Sequence, residues 1–238
     1  MENLTPKYRR VLLKLSGEAL AKDCDGILNF EYIEEIAGVL KKCVAQGVQI
    51  AVVVGAGNIW RGRQSGSMDR ARADQMGMLA TAINSLALEE TFNAAGLKSR
   101  AMMVMEVNSF ADPYRIRDAR AHLENGEVII IGGGTGMPFF STDTAAAIHA
   151  AEISADVILM AKNIDGIYSS DPRVDKNAKR YDEITYREIL DKELKALDIP
   201  ASAFCMENNI RCYAFELKDP MNIYKVIMGE KLGTELHR

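Results

Sequence analysis

Val128-Ile-Ile-Ile-Gly-Gly-Gly-Thr-Gly-Met-Pro-Phe-Phe-Ser-Thr-Asp-Thr144 passes from an apolar run through a glycine cluster into a helix start. The continuous β-branched run is that of a strand buried on both faces, as in a parallel sheet. Glycines directly after it supply a turn with φ > 0, or let the backbone approach a ligand closely. Thr142 reads as the N-cap of a helix reaching about Ile153, with Asp143 in its first turn. Such a start offers free N–H groups and the positive end of the helix dipole to an anion.

The same alternation extends in both directions. Apolar runs at residues 11–15, 50–54, 101–105 and 157–160 read as strands. Helical patterns at 30–45 and 72–95 are closed by Gly47 and Gly96, and one at 114–123 is stopped by Asn125-Gly126. Beyond Asp165-Gly166 a polar stretch reaches Asp182 as a surface loop or hairpin. Thr185-Tyr-Arg-Glu188 is a capping box opening another helix, 201–208 is a further helix, 211–217 a strand, and 220–228 a last helix with proline in its first turn. The fold class this predicts is α/β: a single αβα sandwich domain over residues 1–238 with a mainly parallel central sheet.

Of the 238 residues, 48% are apolar, enough for a sizeable core. A net charge of −4 with no basic block argues against nucleic acid as partner, while a small anionic ligand needs only a few local cations. Cys24, Cys43, Cys205 and Cys212 lack zinc spacing and read as reduced thiols. The first ten residues lack a signal-peptide core and no apolar run reaches the ~18 residues of a membrane span, so a cytoplasmic protein with no membrane partner is expected.

Four segments follow strands on one edge of the predicted sheet, where open α/β sheets bind ligands. Lys14-Leu-Ser-Gly17 pairs a cation with a small turn able to cradle a phosphate, although a lone lysine there is more often a solvent-facing one. Gly55-Ala-Gly-Asn-Ile-Trp-Arg-Gly62 combines a close-approach loop with the planar donor fork of Arg61; Trp60 in it is expected to pack. The glycine cluster and Asp143 form the third segment. Asp143 is either a favourable charge at a helix start or a group that holds Mg²⁺ or positions Lys14. Asp165-Gly-Ile-Tyr-Ser-Ser-Asp-Pro172 adds a ring able to cover a base, or is an ordinary hairpin. No G-x-x-x-x-G-K-[ST] or G-x-G-x-x-G occurs, which points away from Walker-type and dinucleotide sites.

In order and spacing, Lys14-Leu-Ser-Gly-Glu18, the loop at 55–62, Asp74-Gln-Met-Gly-Met-Leu-Ala-Thr81, Gly133-Gly-Thr-Gly-Met-Pro-Phe-Phe140, Thr142-Asp143 and Asp165-Gly-Ile-Tyr168 resemble the bacterial uridylate kinases of the amino acid kinase superfamily. The likeness continues to Val226-Ile-Met-Gly-Glu-Lys-Leu-Gly-Thr234. It implies transfer of the ATP γ-phosphate to UMP, with Lys14, Arg61 and Asp143 as catalytic residues. By the same resemblance Lys14, Leu15, Ser16, Gly17, Gly57, Arg61, Lys162, Asn163, Tyr168 and Asp171 would border ATP. Ala56, Asp74, Thr135, Gly136, Met137, Pro138, Phe139, Phe140, Ser141 and Thr142 would hold UMP, Asp74 through its ribose. Mg²⁺ would be bound mainly through the ATP phosphates, with no dedicated protein metal site. A homohexamer inhibited by UTP is implied too.

Ala56 and Met137 depart from the family's usual glycine and common asparagine. Lys22-Asp-Cys-Asp-Gly-Ile-Leu28 replaces a glycine-rich segment linked to GTP activation, which argues against activation by GTP. Two other readings stay open: the same fold acting on an amino acid or carbamate, and a non-catalytic nucleotide sensor or oxyanion store. The Asp74 helix and Phe139-Phe140 suit a nucleoside better than a small carboxylate.

Overall fold

The apolar runs become the interior of one mixed sheet in the computed structural model, which describes residues 5–61, 66–107, 109–194 and 196–238. Gly62, the end of the second loop motif, lies outside the described residues. In chain order the elements are β1 (Arg10–Leu15), α1 (Gly17–Leu20), α2 (Phe30–Ala45), β2 (Gln49–Val54), α3 (Arg70–Ala94), β3 (Ser99–Met103), β4 (Asp112–Pro113), α4 (Ile116–Glu124) and β5 (Val128–Gly132). There follow α5 (Thr142–Glu152), β6 (Val157–Lys162), β7 (Glu183–Thr185), α6 (Tyr186–Asp191), α7 (Ile199–Glu207), β8 (Cys212–Glu216), α8 (Met221–Ile227) and β9 (Gly233–His237).

The sheet order is β4-β3-β5-β2-β1-β6-β8-β9-β7, parallel throughout except where β9 runs antiparallel to β8. Both faces of the central strands are covered, so alternate residues enter different cores. Val11, Leu13 and Leu15 of β1 pack with Ile33, Ile36 and Leu40 of α2 and Ile223 of α8. Leu12 joins Ile158, Met160, Ala146, Ala147 and Ala150 on the other face, beneath α5, α6 and α7. Each fully buried Leu or Ile of this kind contributes about 1.5–3 kcal/mol.

Helix boundaries follow local hydrogen bonding. Asn29 caps α2 and Asp69 caps α3, so α3 begins two residues before the point its apolar pattern suggests. The Thr185–Glu188 capping box is formed reciprocally. One expectation is corrected: Ser141, not Thr142, is the N-cap of α5. Ser141 keeps extended backbone angles (φ −83°, ψ 171°), and its Oγ accepts from Asp143 N and Thr144 N at 3.0 and 3.2 Å. Thr142 is already helical.

Candidate active site

Strand periodicity and the register of β1 on β6 put two lysines together. Lys14 follows Leu12 by one pleat and therefore faces the α5 side of β1. Lys14 pairs in register with Met160 of β6, so Lys162 stands one pleat further on the same face of the next strand. Asp143, in the first turn of α5, meets this pair from above. Lys14 Nζ lies 2.9 Å from Asp143 Oδ1. The contact is an ion pair without hydrogen-bond alignment. Lys162 Nζ donates to Ala196 O at 2.5 Å. Burial pulls the Lys162 ammonium below the usual lysine value; the Asp143 charge opposes that fall and the Lys14 charge adds to it.

Loops at the strand ends are held by close backbone approach. A Cβ on Gly17 would lie 2.3 Å from Asn58 Oδ1 and 2.6 Å from Gly55 O, so only glycine lets the first two loops touch. Ser16 Oγ accepts from Ala19 N and caps the short α1. Gly133, Gly134 and Gly136 have φ of 92°, 62° and 77°, the left-handed region that the sequence called for. Gly133 N donates to Thr81 Oγ1 of α3 at 2.9 Å, and Phe139 N donates to Asp74 Oδ2 at 2.8 Å. Asp74 also pairs with Arg70, 3.0 Å away.

Two cavities approach this region, one through Ser141 and Thr142 beside Asp143 and the other through Lys162; Lys14 and Asp143 are in neither lining. One, of about 260 Å³, is lined by residues that include Ala56, Gly57, Trp60, Asp74, Thr135, Met137, Phe140, Ser141 and Thr142. The other, about 450 Å³, is bounded by Lys162, Tyr168, Asp171, Arg173 and Lys192 among others. Tyr168 donates to Asp165 Oδ1, and Asp171 pairs with Arg173. Asn163 is exposed and is not part of either lining. Arg61, half exposed, pairs with Glu18 and donates to Gly57 O rather than joining Lys14 and Asp143.

The sequence profile described as the amino acid kinase family matches residues 9–215. The chain belongs to the amino acid kinase family. Its fold superposes on UMP kinase from Bacillus anthracis with a TM-score of 0.93 at 35% identity, covering 97% of this chain and 96% of that one. UMP kinase from Ureaplasma parvum gives 0.92 at 35% identity, with 98% and 100% covered. Uridylate kinase from Archaeoglobus fulgidus gives 0.70 at 27%, with 95% and 99% covered.

The loops also rest on side chains that the sequence did not single out. Asn84 of α3, fully buried, donates to Gly55 O at 2.8 Å and exchanges amide hydrogen bonds with Asn58. Glu18 is the partner of Arg61. Nothing in the mixed polar and apolar pattern of α3 marked the first, since its burial is known only from the fold. Trp60 packs as expected, its Nε1 donating to Ala73 O at 2.8 Å while its ring borders the smaller cavity. Among the described residues no three His, Cys, Asp or Glu side chains converge as a metal site. No helix among them is long and apolar enough to cross a membrane.

Proposed function

We propose that this chain is an ATP-dependent uridylate kinase, moving the γ-phosphoryl group of ATP to UMP to give UDP and ADP in pyrimidine nucleotide biosynthesis. The supporting observation is the Lys14–Asp143 ion pair with Lys162 on the neighbouring strand, close to one cavity through Lys162 and to a second through Thr142, in a chain whose structural neighbours are UMP kinases. We assign the larger cavity, lined by Lys162, Tyr168 and Asp171 among others, to ATP, with Asn163 and the Lys14-Leu15-Ser16-Gly17 loop bordering the nucleotide from outside that lining. The smaller one, with Ala56, Asp74 and the Thr135, Gly136, Met137, Pro138, Phe139, Phe140, Ser141 and Thr142 loop, takes UMP. The whole chain acts as one catalytic unit.

In this reading an oxygen of the UMP phosphate attacks the γ-phosphorus while its bond to the β–γ bridging oxygen breaks, and that electron pair leaves with ADP. A phosphate monoester has its second pKa near ~6, so the attacking oxygen needs no strong base. The protein's task is placement and charge neutralisation. Lys14 meets the moving phosphoryl, and Asp143 fixes its ammonium. Arg61 joins it by exchanging Glu18 for a phosphate, an inexpensive exchange because an exposed ion pair contributes only ~0–1 kcal/mol. Gly57 brings a backbone N–H close to the phosphates. Asp74 accepts from the ribose hydroxyls while its Oδ2 keeps Phe139 in place.

One carboxylate beside two lysines suits Mg²⁺ that arrives on nucleotide phosphates better than a protein cage, since Mg²⁺ retains water and phosphate ligands. Bound there, Mg²⁺ would supply further neutralisation of the triphosphate charge. We also propose a cytoplasmic homohexamer, inhibited by UTP and not activated by GTP.

Coupled assay of ADP formation with UMP, CMP, aspartate, glutamate and carbamate tests the reading. Turnover with UMP is expected to exceed that with every other acceptor. Turnover with an amino acid or carbamate and none with UMP would overturn it, and repeating the assay with UTP and GTP tests regulation.

A further inference from the structure

His149 of α5 is 3% exposed and stands between two groups that can only accept. Its Nδ1 lies 2.7 Å from Glu152 Oε2 and its Nε2 lies 2.9 Å from Gly134 O. A carbonyl has no proton to give. The Glu152 carboxylate is held below its usual range, first by His149 and then by Tyr114, whose hydroxyl donates to the same Oε2 at 2.9 Å. Neutral imidazole carries one N–H and would set a lone pair against one of these oxygens; imidazolium satisfies both.

The surroundings leave the ring few other influences. The Tyr114 ring, just before α4, meets it edge-on at 4.9 Å between centroids. Arg120 of α4 donates through Nε and Nη2 to Glu152 O, at 2.8 and 2.5 Å, so it steadies the end of α5. Among the described residues, Glu152 on α5, Tyr114 before α4 and Arg120 on α4 are the titratable or charged groups bonded to this ring or to its partners, the loop after β5 meets it through the Gly134 carbonyl, and α7 reaches α5 through Asp198 at Thr144.

Gly134 lines the smaller cavity, and its left-handed backbone is held by what its neighbours grip. Thr81 fixes Gly133 from α3, and His149 fixes Gly134 from α5. We propose that doubly protonated His149 is a positioning residue for the acceptor loop, so that affinity for the nucleoside monophosphate falls as pH rises through the imidazole titration. This rests on reading the smaller cavity as the UMP site. The sign is opposite to that from the acceptor itself, whose phosphate gains negative charge with rising pH.

The test combines ¹⁵N-histidine NMR with kinetics on the full chain between about pH 5 and 8, the window in which an imidazole side chain changes charge. Two protonated ring nitrogens on His149 at the acid end are expected. Their loss should track a rise of about three- to tenfold in KM for UMP, the size of one hydrogen bond, with kcat and KM for ATP little changed. His149→Gln, whose single amide nitrogen can reach only one of the two oxygens at any pH, should show a high and flat KM for UMP. Should that variant fold poorly, Glu152→Gln should lower the fraction of doubly protonated ring at a given pH and raise KM in parallel. A single neutral tautomer across the range would overturn the proposal, as would a KM for UMP that neither pH nor either variant changes. If UMP is not a substrate at all, the cavity assignment fails, while the NMR still decides whether the ring is doubly protonated.

Discussion

A single carboxylate separates two interpretations of the helix start at α5. As a mere charge near a helix N-terminus, Asp143 is worth ~0.3–1 kcal/mol of stability and nothing to turnover. Its 2.9 Å contact with Lys14, a lysine already oriented by strand register, points to the second interpretation. Asp143→Asn should therefore lower kcat by at least ~10², the scale for removing one electrostatic catalytic group, with the thermal midpoint nearly unchanged. Steady-state kinetics beside a thermal melt checks this; unchanged turnover would leave Asp143 as a helix-start residue only. The pairing of Arg61 with Glu18 was not legible at this scale, because nothing in the spacing of residues 18 and 61 announces a contact between two loops. Lys14 and Asp143 were legible as candidates, and only the fold made them partners.

At the scale of elements, caps separate stability from activity. Thr185 closes a capping box on α6, away from the cavities' linings, whereas Ser141 caps α5 at the edge of the smaller cavity. Either residue replaced by alanine should cost about 1 kcal/mol. Thr185→Ala should keep its kinetics, while Ser141→Ala should also raise KM for UMP, since releasing two N–H groups disturbs the turn that carries Thr142 and Asp143. Urea titration and initial rates on both variants distinguish the cases; equal kinetic effects would count against a role for Ser141 in the site. The sequence favoured Thr142 as cap because threonine is a natural N-cap residue and Asp143 then falls in the first turn. The backbone placed the extended-to-helical transition one residue earlier, where Ser141 Oγ reaches two donors. Local chemistry permits both residues, and the path of the loop through Gly133, Gly134 and Gly136 selects one.

Across the whole molecule, the apolar surface of α3 is the feature with consequences for assembly. Its apolar residues ring the helix instead of forming one stripe, and Leu79 and Ile83, one turn apart, are 53% and 49% exposed. If the chain assembles as the proposed homohexamer, such a face is a natural place for copies to meet. Leu79→Asp with Ile83→Asp should then reduce the mass measured by light scattering, and an unchanged mass would place the contacts elsewhere. By itself the sequence determined the strands whose apolar runs demand burial on both faces, the helices between them, the glycine turns, and Lys14 and Asp143 as candidates at a strand end and a helix start, because periodicity and local sterics act over a few residues. Only the tertiary structure decided the sheet order, with β9 reversed against β8, the hold of Asn84 on Gly55, and the place of His149 between Glu152 and Gly134. Those depend on contacts between distant segments, which exist only once packing has brought the elements together.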